Sequence, residues 1–207
     1  MINLDKIKSF DALSRDEQIE ALTLIDKWKD LNSRERCKSS FLEFVKHQWD
    51  GFIMGRHHKV LAEKLNRIAQ GKCKRLMVML PPRHTKSEFA STYFPAWMMG
   101  LNPSLKIIQA THTAELAVRF GRRVRNIIDS EEYQTIFPNI TLSGDNKSAG
   151  RWTTDDGGEA FYSGVGGAIT GRGADLLIID DPHSEQDAMS PTAMDAAWEW
   201  YTSGPRQ

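Results

Sequence analysis

Apolar positions change their spacing part-way along the chain. Ser14, with Glu17 three positions on, has the pattern of a capping box, in which a hydroxyl and a carboxylate satisfy the first free amides of a helix. Leu22, Ile25 and Trp28 follow at helical spacing and predict a helix to about Leu31. Phe41–Trp49 predicts a second, shorter helix. His57–Gln70 predicts a third, with Val60, Leu61, Leu65 and Ile68 on one face and Gly71 as its stop. Beyond Gly71 short apolar runs alternate with amphipathic stretches. Arg75–Leu80, Leu105–Ala110 and Leu176–Ile179 read as strands, and Glu88–Met99, Glu115–Asp129 and Thr192–Tyr201 as helices. Gly157–Gly173 is rich in glycine around Phe161 and Tyr162. Such alternation predicts an α/β fold. Continuous apolar strands predict a parallel sheet with helices on both faces. A helical segment over 1–55 precedes the main domain over 56–207.

Composition adds little to this picture. The 207 residues are 40% hydrophobic and 26% charged, enough for one sizeable core. Lys+Arg and Asp+Glu both number 27, so a nucleic-acid partner rests on a local basic face and not on global charge. Cys37 and Cys73 have neither metal-ligand nor disulfide-framework spacing, which fits a reducing cytoplasm. No apolar run approaches membrane-spanning length, and Met1–Lys6 carries no signal-peptide pattern.

The chemistry concentrates at two places. Leu76–Ser87 reads as strand, short loop, then helix start, the arrangement a phosphate-binding loop needs. Lys86 and Ser87 occupy the positions of the lysine that reaches β- and γ-phosphates and the hydroxyl that holds Mg²⁺. Leu80 and Thr85 stand where G-x-x-x-x-G-K-[ST] has its glycines, and Thr85 sits where a permissive backbone is often needed. Taken alone, Thr85-Lys86-Ser87 is also an ordinary polar helix start. The second place is Asp175–Asp181, an apolar strand delivering two carboxylates to its carboxyl end, where ligands bind in open α/β sheets. Asp180 suits a Mg²⁺ ligand, and Asp181 a base or water-orienting group. The alternative is a pair of acidic caps with Asp181-Pro182 as turn chemistry. The strand and helix lying between the two places match the order of ATPases with an additional strand, such as RecA-like and helicase-like motors. No Asn-Lys-x-Asp guanine motif is present, and Gly164–Gly173 does not complete a dinucleotide fingerprint because Ile169 replaces its third glycine.

Four segments, Leu80–Glu88, Ala110–Ala117, Gly166–Asp175 and Leu176–Pro182, together resemble the large terminase subunit of tailed bacteriophages over most of residues 39–207. The resemblance implies a RecA-like P-loop ATPase using ATP and Mg²⁺ to package double-stranded DNA through a portal. The implied partners are the portal protein, the small terminase subunit and further copies in a ring, in the host cytoplasm. It implies Lys86 and Ser87 as the Walker A pair, within a nucleotide loop of Pro82, Arg83, His84, Thr85, Lys86 and Ser87, and Asp180 and Asp181 as the Walker B pair. Arg83 matches an extra basic residue of the variant loop, or is a surface salt-bridge partner. Arg172, flanked by Gly171 and Gly173, is an arginine finger for a neighbouring subunit's ATP, or braces the glycine-rich turn. His58 is a candidate adenine contact, or a structural helix-start histidine.

On Glu115–Asp129, Leu116, Phe120, Val124 and Ile127 form an apolar stripe. Arg119, Arg122 and Arg123, with Arg125 nearby, gather on another face that suits DNA phosphates or plain solvent. Lys72, Lys74 and Arg75 make a second basic cluster with the same two readings. In additional-strand ATPases a later strand inserts between the phosphate-loop strand and the acidic strand, and no candidate for it precedes Gln207. The expectation is a truncated or split polypeptide whose sheet has a central gap or unpaired edges. Nuclease activity is not assigned to it.

Overall fold

A computed structural model describes residue 10, residues 13–169 and residues 171–204, apart from the side chains of 145–147. The Met1–Lys6 pattern, Thr170 of the glycine-rich run and the chain end at 205–207 lie outside the described residues.

Helix α1 spans Arg15–Ser39 and opens with the expected capping box: Ser14 accepts from the Glu17 amide, and Glu17 accepts from the Ser14 amide at 2.9 Å. It runs well past Leu31 because no proline or glycine interrupts residues 32–39. Ser40 ends it and caps the next helix, α2 (Phe41–Gln48), by accepting from the Glu43 amide. Helix α3 covers Arg56–Ala69. These helices are not a detached preface. Phe41 meets Phe89, Phe94 and Trp97 at ring-centroid distances of 5.5 Å, and Trp97 Nε1 donates to the Cys37 carbonyl at 2.8 Å. One aromatic core therefore joins them to the helix after the phosphate loop.

That helix begins at Lys86, widens into a π-helical stretch over Glu88–Tyr93, and continues as α4 (Phe94–Leu101). Pro95 has no N–H to donate back into the preceding turn, and the wide turn lies directly ahead of it. Strand β1 (Lys106–Thr111) and α5 (Ala114–Ile128) follow, then α6 (Glu131–Ile136). The strands β2 (Leu142–Ser148), β3 (Arg151–Thr154), β4 (Glu159–Gly164) and β5 (Leu176–Ile179) complete the sheet before α7 (Pro191–Ser203).

The sheet is open and five-stranded, in the order β2-β3-β4-β1-β5. It is mixed, which corrects the expected parallel sheet. Strand β1 pairs in parallel with β4 and β5, while β2–β3 and β3–β4 are antiparallel. The antiparallel hairpin was invisible as strands because its residues are largely polar and turn at Ala149-Gly150. Strand β1 is buried on both faces from Ile107 to Thr111, as a central strand should be.

The second correction concerns Arg75–Leu80. The segment alternates as a strand does: Leu76, Val78 and Leu80 pack on the core while Met77 and Met79 are 82% and 84% exposed. It nevertheless pairs with no strand among the described residues. A cleft of about 470 Å³ lies between Leu76–Val78 and β5, floored by Leu65, Ile68, Ala90 and Phe94. This is the gap expected beside the acidic strand. Among the described residues no helix is long and apolar enough to cross a membrane.

Candidate functional site

The loop leaves the apolar segment through Pro81 and Pro82, whose fixed φ holds the chain extended. Arg83 and Thr85 then take φ values of 62° and 58°, a left-handed backbone outside glycine's usual monopoly. Thr85 thus adopts the conformation for which the sequence lacks a glycine. For a β-branched residue such a turn costs on the order of 1–3 kcal/mol and needs outside support. His58 supplies a contact: its Nε2 lies 2.7 Å from Thr85 Oγ1, and Thr85 Oγ1 donates to the His84 carbonyl at 2.7 Å. His84 Nδ1 donates to the Pro82 carbonyl at 2.9 Å. Arg83 is exposed and has no partner among the described residues.

Strand β5 carries the acidic pair to the same place. Asp180 is 6% exposed, and its Oδ2 accepts from Ser91 Oγ at 2.8 Å. Asp181 has a φ of 44°, and its carbonyl accepts from the His112 amide. Lys86 meets both carboxylates, at 3.5 Å from Asp180 and 2.5 Å from Asp181. Burial pushes the Lys86 ammonium down, but the Asp181 hydrogen bond and the charges of Asp180 and Asp181 outweigh it and hold Lys86 above its ordinary range. Leu80–Glu88 and Asp181 enclose a cleft of about 550 Å³. Its size and polar mouth suit a small charged ligand. Ser87 lines the cleft, and Ser87 and Asp180 are hard oxygen donors of the kind Mg²⁺ takes alongside phosphate oxygens.

Neither a scan against protein-family models nor a search of the curated proteins returns a match to this chain.

The other sequence-predicted residues fall at three separate places. His58 is 5% exposed and stacks on Phe89 at 4.9 Å. Burial lowers its basicity, with a smaller push from the neighbouring imidazoles of His57 and His84. Arg172 donates to Glu159 at 2.9 Å and lies 4.1 Å over the Phe161 ring. Glu159 starts β4, whereas Asp180 and Asp181 follow the end of β5, and both strands run parallel to β1. Arg172 and Lys86 therefore sit at opposite ends of the sheet. Within this chain Arg172 braces the glycine-rich turn. On α5, Arg119 and Arg122 are exposed and line one groove with His112 and Thr113. Arg123 is turned away from them into a two-pronged bond with Glu88.

Two contributors escaped the sequence reading. Ser91 lies one helical turn beyond Ser87, a spacing that puts two hydroxyls on one face and was available as a signal. Glu88, the Arg123 partner, carried no signal beyond its charge.

Proposed function

We propose that this chain is an ATPase motor domain of the large-terminase kind, a P-loop ATPase that binds ATP with Mg²⁺ at Pro81–Ser87 and couples hydrolysis to movement of double-stranded DNA. The observation that carries the reading is the meeting of Lys86 with Asp180 and Asp181 across 95 positions, at the mouth of a cleft walled by the loop. A structural ion pair alone does not call for two carboxylates at a strand end beside a left-handed loop at a helix start.

In this reading Lys86 carries the charge that draws the β- and γ-phosphates into the cleft, and Arg83 offers its unpaired guanidinium to them. Ser87 and Asp180 hold the Mg²⁺, which neutralises developing phosphate charge. Ser91 fixes the Asp180 carboxylate, leaving one oxygen free to turn inward. Asp181, mostly exposed, takes the proton of the attacking water once phosphate replaces it at Lys86. The exposed Arg119 and Arg122 offer phosphate contacts without base readout, which suits a translocating motor.

Thermal unfolding with and without Mg²⁺ and ATP tests this. Saturation at about a hundredfold above Kd adds roughly 2.7 kcal/mol of stability, which reads as a clear rise in midpoint. The rise should vanish in Lys86→Ala. A second reading, a non-catalytic assembly module, is favoured by the unpaired backbone at Leu76–Leu80, and no shift in either protein would select it.

A further inference from the structure

We infer that His58 is a positioning residue that latches the phosphate loop in its left-handed turn, not a contact to a nucleobase. The inference rests on reading Pro81–Ser87 as the phosphate site. Its geometry does not depend on any nucleotide.

The hydrogen bonds fix the tautomer. The Gly55 amide can only donate, and it points at His58 Nδ1 at 2.8 Å. Nδ1 is therefore the bare nitrogen, and the neutral ring carries its proton on Nε2. Nε2 donates to Thr85 Oγ1, whose own proton goes to the His84 carbonyl. The relay has one direction, because it starts at an amide donor and ends at a carbonyl acceptor. Each member has its partner, and both ring nitrogens are consumed.

The ring itself is held still. It stacks on Phe89 and lies 4.8 Å from Phe52. Phe89 belongs to the helix after the loop, and its amide donates to the Thr85 carbonyl at 3.0 Å. Thr85 is thus gripped at its hydroxyl by α3 and at its carbonyl by the helix it introduces. That double grip is what a threonine needs to remain at φ 58° where glycine would sit freely. The titratable groups facing the ring are His57, at a centroid distance of 3.9 Å, and His84 across the loop.

His58→Asn and His58→Gln separate the two bonds. Asparagine keeps an acceptor near the Nδ1 position and loses the donor to Thr85. Glutamine keeps a donor near the Nε2 position. Hydrogen exchange over residues 81–89, without nucleotide, should quicken roughly tenfold in His58→Asn, the loss of about one buried hydrogen bond, and much less in His58→Gln. Thr85→Val, which removes the hydroxyl and keeps the shape, should quicken it as His58→Asn does even if the histidine variants fold poorly. In a Thr85→Gly background, where the turn needs no latch, His58→Asn should change exchange by no more than about twofold. Equal exchange in the two histidine variants, or an undiminished effect of His58→Asn in the Thr85→Gly background, overturns the latch. MgATP titration of the same proteins is read separately. Expected exchange with no MgATP binding in any of them keeps the latch and removes the ATPase reading.

Discussion

The Lys86 ammonium and the Asp181 carboxylate, 95 positions apart in the chain, lie 2.5 Å from each other at the mouth of the loop cleft. Asp181 thereby occupies the cation that a phosphate would need. Replacing it with a neutral isostere frees the lysine. Asp181→Asn is expected to bind MgATP as tightly as the parent or several-fold more tightly, while losing on the order of 100-fold in turnover with the base. Calorimetric titration and phosphate release measure the two separately. Equal loss of binding and turnover would mean that Asp181 holds the loop together instead of serving the reaction.

The pH dependence has two limbs with opposite origins. Lys86 is held above its ordinary value, so its ion pairs contribute fully below pH 10.5 and are lost as pH rises beyond that. His58 is held below its ordinary value of 6.5, so the unfolded chain binds the extra proton first. Its contribution is complete above pH 6.5 and is lost as pH falls from there through the lowered value. Protonation also removes the acceptor that Nδ1 presents to the Gly55 amide. Unfolding midpoints across pH should therefore fall on both sides of a neutral plateau. His58→Gln should flatten the acid limb and Lys86→Met the alkaline limb.

The arginines of α5 divide by geometry. Arg119 and Arg122 are exposed along one groove, whereas Arg123 grips Glu88 on the helix after the loop. Alanine at 119 and 122 together should weaken double-stranded DNA binding uniformly across sequences and reduce the salt slope by about two contacts, with the unfolding midpoint unchanged. Alanine at 123 should instead lower stability, by about 1 kcal/mol or less because both partners are partly solvated. Salt-dependent binding isotherms and thermal melts distinguish the two classes.

What the sequence disclosed, and what it hid, follows the range of the interactions involved. Helices α1 to α3 were legible because their caps and apolar stripes are local: Ser14 with Glu17, or Leu61 with Leu65. Lys86 and Asp180 were legible because a strand end beside a helix start is a local pattern at each place, and only their meeting needed coordinates. The pairing of Leu76–Leu80 was misjudged because alternation shows that a segment can be a strand, not that a neighbour exists for it. The β2–β3 hairpin was missed because polar residues on an edge leave no hydrophobic signal. The His58–Thr85 bond joins residues 27 apart through a backbone angle, and nothing in either residue's type announces it.

Gln109 gives the most direct test of the sheet itself. It sits at the middle of β1 with 0% exposure, and neither amide atom has a hydrogen-bond partner among the described residues. Its register neighbours are Tyr162 on β4 and Ile178 on β5. The Tyr162 hydroxyl is likewise unpartnered, and burial holds it far from ionising. A buried amide left unpaired costs about 1–3 kcal/mol, and an apolar side chain of similar length removes that cost without opening a cavity. Gln109→Met should therefore raise the unfolding free energy by about 1 kcal/mol or more in urea titration, with the slope unchanged. Tyr162→Phe should act in the same direction and more weakly, since it removes one unpaired group instead of two. A destabilised Gln109→Met would mean that the amide does meet a polar partner in solution, and that the centre of the sheet is organised around it.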